Sequence, residues 1–247
     1  MAIVFAACGA DGLPPTAALS KDGPAGGGAY PSIGSEKPDE TPKPLNDASE
    51  ASPGGREVIA APTMADILAP SPLAEMSWGS EKATVTIVEY ASLTCPHCRR
   101  FHLETFPEFK QTYVDTGKVR YILREFPIGK QSGNATIALR CAPQDKYLEL
   151  FGKFMQQQSS WVSQEVRLDP IFAVAQQVGM TRAQFDACYK NQGMIEGLKW
   201  VKDRGRKLGV IGTPNFFVGD KLVKSVLTMA DIRALVDPQL QAKAQPR

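Results

Sequence analysis

The chain has 247 residues and a formal net charge of +2, enough for one sizeable domain with extensions. That charge conceals two unlike regions. Residues 9–75 carry ten acidic and four basic side chains and 20 Pro and Gly in 67 positions, which excludes a single uniform globule. An uninterrupted apolar run of about 18 residues is lacking, against a polytopic membrane protein. A dense basic patch interleaved with aromatics is lacking too, against a nucleic-acid binder.

Residues 1–8 (MAIVFAAC) place small residues and Cys8 after a short apolar run. This resembles the lipobox end of a lipoprotein signal peptide, where the cysteine becomes the lipidated first residue. The run is shorter than the roughly 7–15 residues of a working signal, so a lipid anchor on Cys8 implies a true start upstream of Met1. Residues 9–75 are too poor in apolar side chains to offset roughly 1–2 kcal/mol of backbone entropy per residue. They read as a disordered tether, with a helical turn at 64–68 docked on the folded domain.

Residues 84–90 (TVTIVEY) read as a strand with one internal acid, Glu89. Its alternation puts Val85, Ile87 and Glu89 on one face. Pro96 opens a helical pattern to about Tyr113, stopping near Gly117, and 119–126 reads as a second, parallel strand. Residues 133–208 are helical. Asp169 and Pro170 resemble an N-cap and first helical residue, Gly179 a stop, and Thr181 with Gln184 a capping box. Met194, Ile195, Leu198, Val201 and Leu208 line one face of a later helix. Residues 215–218 and 221–223 flank a Gly219-Asp220 turn as an antiparallel hairpin, and 228–236 form a last helix.

The order is β-α-β, a helical block, then β-β-α. It predicts an α/β, thioredoxin-like fold with an inserted helical domain, preceded by a disordered N-terminal segment. The divisions are a truncated signal at 1–8 and a linker at 9–75. The first half of the core covers 76–132, the insertion 133–208, the second half 209–238, and a tail 239–247.

Cysteines stand at 8, 95, 98, 141 and 188. Cys95-Pro96-His97-Cys98 follows a strand and opens a helix, the setting of a redox dithiol. With Pro96 as first helical residue, Cys95 is the N-cap. Its sulfur faces free N–H groups at the positive helix end, which stabilises a thiolate. Cys98, one turn on, resolves the mixed disulfide. A charge on His97 would favour the thiolate further, and a stabilised thiolate makes the disulfide more oxidising.

Together, Glu89, Cys95-Pro96-His97-Cys98, Phe101-His102 and Thr213-Pro214 resemble the DsbA family of periplasmic thiol:disulfide oxidoreductases, over roughly 76–238. The wording from Val88 to Cys98 is similar to an alphaproteobacterial branch. The resemblance implies that the Cys95–Cys98 disulfide passes to folding proteins with free thiols in the periplasm. It implies reoxidation by a DsbB-like, quinone-linked membrane protein, with no cofactor in the chain itself. It places Pro214 as a cis-proline facing the cysteines, with Thr213 backbone groups meeting an extended substrate. Glu89 would handle protons for Cys98. Threonine before Pro214 also occurs in disulfide isomerases, so an isomerase or reductase of the same fold is the alternative. A chaperone-like peptide-binding lipoprotein is the non-enzymatic one.

Cys141 and Cys188 are expected to pair, since a dedicated oxidant shares their compartment. His102 with the two active cysteines leaves zinc without a fourth ligand, so no metal is expected. The basic run Lys199, Lys202, Arg204, Arg206 and Lys207 reads as a solvated helix face, with weak attraction to acidic clients or lipid headgroups as the other reading. A separate dimerisation module is not visible, and a monomer is expected.

Overall fold

The computed structural model describes residues 58–244. Five strands form one mixed sheet: β1 (Met76–Trp78), β2 (Val85–Ala91), β3 (Val119–Glu125), β4 (Asn215–Val218) and β5 (Lys221–Val223), in the order β1-β3-β2-β4-β5. β2 and β3 are parallel, as their helical crossover requires; every other pair is antiparallel. Both central strands are buried on both faces, β2 as a β-branched run and β3 around Val119, Tyr121, Ile122 and Leu123. The sheet therefore separates two cores.

On one side, Val85, Ile87, Tyr121, Leu123, Phe216 and Val218 pack beneath helices that carry Phe101, Phe109, Phe151 and Phe154. On the other, Val88, Tyr90, Ile122 and Phe217 meet Ile67, Leu208 and Val210. Glu89 follows Val85 and Ile87 toward the first core and is fully buried.

After β2 the chain enters α2 (Pro96–Arg100), which continues through a widened π turn (Phe101–Thr105), α3 (Phe106–Phe109) and a second π turn (Lys110–Val114). The helical block comprises α4 (Gly129–Arg140), α5 (Tyr147–Gln156), α6 (Gln158–Trp161), α7 (Leu168–Ala175), α8 (Arg182–Cys188) and α9 (Gln192–Lys207). Thr181 and Gln184 cap α8 reciprocally, and Gly179 closes the turn after α7 at φ 90°. Cys141 after α4 and Cys188 ending α8 are joined as a disulfide.

Several boundaries differ from those the sequence predicts. Composition makes 9–75 a tether with one docked turn at 64–68; the turn is present, and the chain packs on the domain already from 58 onward. α1 (Met64–Ile67) is held by a Thr63/Asp66 capping box, and Ile67 is fully buried. Arg124 donates to the Ile67 carbonyl at 2.5 Å and to Glu75 at 3.0 Å, and Arg204 donates to the Asp66 carbonyl at 2.6 Å. The high Pro and Gly content masks a few well-spaced apolar anchors. β1 carries no sequence signal, because three residues show no alternation.

α7 begins at Leu168, ahead of Asp169 and Pro170, with Arg167 at its N-cap. The last helix, α10 (Met229–Ala244), runs through Pro238 rather than stopping at 236. Cys8 and residues 9–57 lie outside the described residues.

Candidate active site

β2 ends at Ala91, and the loop after it delivers Cys95 to the N-cap of α2. Buried polar contacts fix that loop. Gln158 donates to the carbonyls of Leu93 and Cys95 at 2.8 and 3.1 Å. The Ser92 hydroxyl meets that of Ser132 at 2.8 Å and accepts from the Ile128 N–H at 3.2 Å. The inserted helices therefore set the position of the reactive loop as well as covering the sheet.

Cys95 and Cys98 are free thiols, the first partly exposed and the second buried. Pro96 takes the first helical position, where its missing N–H costs nothing. Cys95 Sγ accepts from the Cys98 N–H at 3.4 Å, and as a thiol it donates to the Thr213 carbonyl at 3.2 Å.

These surroundings bring Cys95 down to a pKa of about 5. The Cys98 thiol is the largest cause; burial opposes it, and the N–H groups of Cys98 and His97 add to it. His97 itself is exposed, and what it turns toward the sulfur is its backbone N–H.

Cys98 moves the opposite way. Burial pushes it well above 9.0, helped by its hydrogen bond to Cys95 and by the charge of Glu89. Glu89 sits in a buried cluster: Oε2 lies 2.9 Å from His102 Nε2 and accepts from the Tyr121 hydroxyl at 2.5 Å. The other oxygen, Oε1, is buried without a hydrogen-bond partner among the described residues.

The Thr213–Pro214 peptide is cis and closes the site opposite Cys95. The structure thus gathers Cys95, Pro96, His97, Cys98, Glu89, Thr213 and Pro214 in one place. Cys141 and Cys188 stand apart from it, in the helical block. Among the described residues no group of three His, Cys, Asp or Glu could hold a metal ion, and His102 turns to Glu89 instead.

A family model described as Thioredoxin matches residues 72–238. The chain belongs to the thioredoxin family. This thioredoxin-family chain is similar to a Rickettsia felis protein provisionally named a protein-disulfide oxidoreductase. The two are 32% identical over 179 residues, covering 68% of this chain and 63% of that one. The chain thus spans less than two thirds of that relative's length.

Among solved structures it is similar to Wolbachia pipientis alpha-DsbA1, with TM-score 0.67 and 26% identity, covering 74% of this chain and all of that one. It shares its fold with BdbD from Bacillus subtilis, with TM-score 0.62 and 20% identity over 76% of this chain and all of that one. Its likeness within the thioredoxin family is to DsbA-type members.

Two contributors escape a reading of the sequence. Tyr121 has a signal: alternation along β3 puts it on one face with Val119 and Leu123, the face Glu89 shares. Gln158 has none, since its role comes from tertiary placement of α6 alone.

Proposed function

We propose that this protein is a thiol:disulfide oxidoreductase that donates the Cys95–Cys98 disulfide to folding proteins in the periplasm. The observation that carries the reading is the opposed environment of the two sulfurs: Cys95 partly exposed and lowered to about 5, Cys98 buried and raised.

In the forward reaction a client thiolate attacks Cys95 Sγ. The Cys95–Cys98 bond breaks, and its electron pair leaves on Cys98. That buried thiolate takes up a proton, and the charge of Glu89 favours this uptake. A second client thiolate then attacks the client sulfur of the mixed disulfide, and Cys95 leaves as a stabilised thiolate. The client has lost two electrons and the enzyme dithiol has gained them. A DsbB-like, quinone-linked membrane protein is the acceptor that would restore the disulfide.

The direction follows from the same asymmetry. At pH 7 a thiol lowered from 9.0 to about 5 favours the reduced form by up to about a hundredfold, raising the potential by about 60 mV at most. In β-addition a client would lie extended along 212–214, using Thr213 backbone groups. Lipid anchoring through Cys8 would hold the domain at a membrane surface. Among the described residues no helix is long and apolar enough to cross a membrane.

The test is turnover of a reduced two-cysteine peptide by the oxidised chain. Cys95→Ser should abolish it, and Cys98→Ser given the same peptide as its disulfide should hold a peptide–Cys95 mixed disulfide visible by mass spectrometry, because the Cys95 thiolate opens the peptide disulfide and lacks Cys98 to release it. Peptide oxidation retained in Cys95→Ser would contradict the reading; absence of oxidation in wild type, with suppression of client aggregation unchanged in Cys95→Ser, would favour a chaperone-like binder instead.

A further inference from the structure

A cavity of about 490 Å³ is lined by His97, Thr213 and Pro214, and a second of about 530 Å³ lies next to it, over Phe126, Ile128 and Val210. Each lies within the range of about 300–1,000 Å³ that holds small ligands. They share Ile211 and Lys224, so they form one continuous groove. Its apolar part is unusually open: Ile211 is 80% exposed and Ile128 50% exposed. Its charged part has one sign. Arg100 and Lys224 face the first cavity, and Lys202, Arg206 and Lys224 the second, with no carboxylate lining either.

Some of these cations have partners. Lys202 donates to the Pro127 carbonyl at 2.5 Å, and Arg206 donates to Asp203 at 2.8 Å. The side chains of Arg100 and Lys224 have neither an ion pair nor a hydrogen bond among the described residues. Lone surface cations are common. Here they stand on the walls of a concave, partly apolar groove whose near end is lined by His97 and the Thr213–Pro214 peptide, and no carboxylate lines it.

We infer that this groove selects client segments in which acidic residues and an apolar side chain flank the reacting cysteine. The inference rests on the oxidoreductase reading and deepens it by naming the client class. An extended segment along 212–214 sends alternate side chains to the same side. An apolar one can cover Ile211 while acidic neighbours reach Lys224, Arg100 and Lys202. A flat anionic lipid surface could not enter the cavity walls in this way. Charge of this arrangement acts chiefly on the rate of encounter, and it is screened by salt.

The experiment uses the oxidised full chain and matched two-cysteine peptides that differ only in Asp/Glu against Asn/Gln around the cysteines. Each rate is divided by that peptide's rate with a small neutral disulfide, which removes differences in thiol reactivity. At low salt the acidic peptide should react about tenfold faster or more, and the ratio should fall toward one in about 0.5 M salt. Arg100→Ala with Lys224→Ala should lower the ratio, while Arg100→Lys with Lys224→Arg should keep it.

A ratio near one at every salt concentration, with both peptides oxidised, overturns the inference and leaves the oxidoreductase reading standing. Oxidation of neither peptide overturns that reading itself. A ratio near one together with sedimentation on phosphatidylglycerol vesicles, lost in the double alanine variant, would assign the cations to a lipid surface instead.

Discussion

At the scale of single residues, the backbone gives two chemically identical thiols opposite roles. Cys95 caps a helix and meets N–H groups; Cys98 is the first inward-facing position of that helix and meets the sheet. Alkylation of the reduced protein with iodoacetamide should therefore titrate with a midpoint of about 5 at Cys95, with Cys98 left unmodified. A midpoint near 9 would contradict the helix-end account. The same shift links to stability. Between pH 5 and 9 the unfolded thiol holds a proton that native Cys95 has lost, so the reduced fold should gain stability as pH rises through that window. That gain is lost as pH falls through about 5, and the oxidised form lacks the effect. Glu89 is legible as a candidate because an acid in line with Val85 and Ile87 stands out. Its Tyr121 and His102 partners need the fold. Glu89→Gln should slow the Cys98 steps about ten- to hundredfold while leaving the Cys95 midpoint near 5, read by single-turnover kinetics beside the alkylation profile.

At the scale of elements, β2, the helix opened by Pro96, β3 and the 215–223 hairpin are legible because each has a strong local signature. These are a β-branched run in β2, alternating large apolar residues in β3, proline at a helix start, and a Gly-Asp turn. The packed part of the linker outside its 64–68 turn, β1 and the true start of α7 are not, because long-range partners decide them. Arg124 and Glu75 lie 49 residues apart, and neither predicts the other. A second buried network shows what such pairs cost to break. Glu125 is held by the guanidinium of Arg140, with Nη2 at 2.7 Å from Oε2, and by the Tyr147 hydroxyl at 2.6 Å. Arg140→Met should strand a buried carboxylate and destabilise the fold by about 3–5 kcal/mol in urea denaturation. A loss under about 1 kcal/mol would show that Glu125 finds other partners.

At the scale of the whole molecule, the inserted helices and the sheet form one machine, since α4 and α6 hold the loop that carries Cys95. The Cys141–Cys188 bond closes a loop of 47 residues within that block. Replacing both cysteines with serine should lower stability by up to about 4 kcal/mol, measured with the active pair held reduced in wild type and variant alike. A shift of that size with peptide oxidation retained would mark the bond as structural; no change in the urea midpoint would contradict the expectation. The central claim is that the site stabilises its reduced form and so donates disulfides. Equilibrating Cys95–Cys98 against glutathione tests it most directly. The account predicts a potential roughly 50–60 mV above thioredoxin's, about −210 mV or more positive; a value near the −270 mV or so of thioredoxin would contradict it.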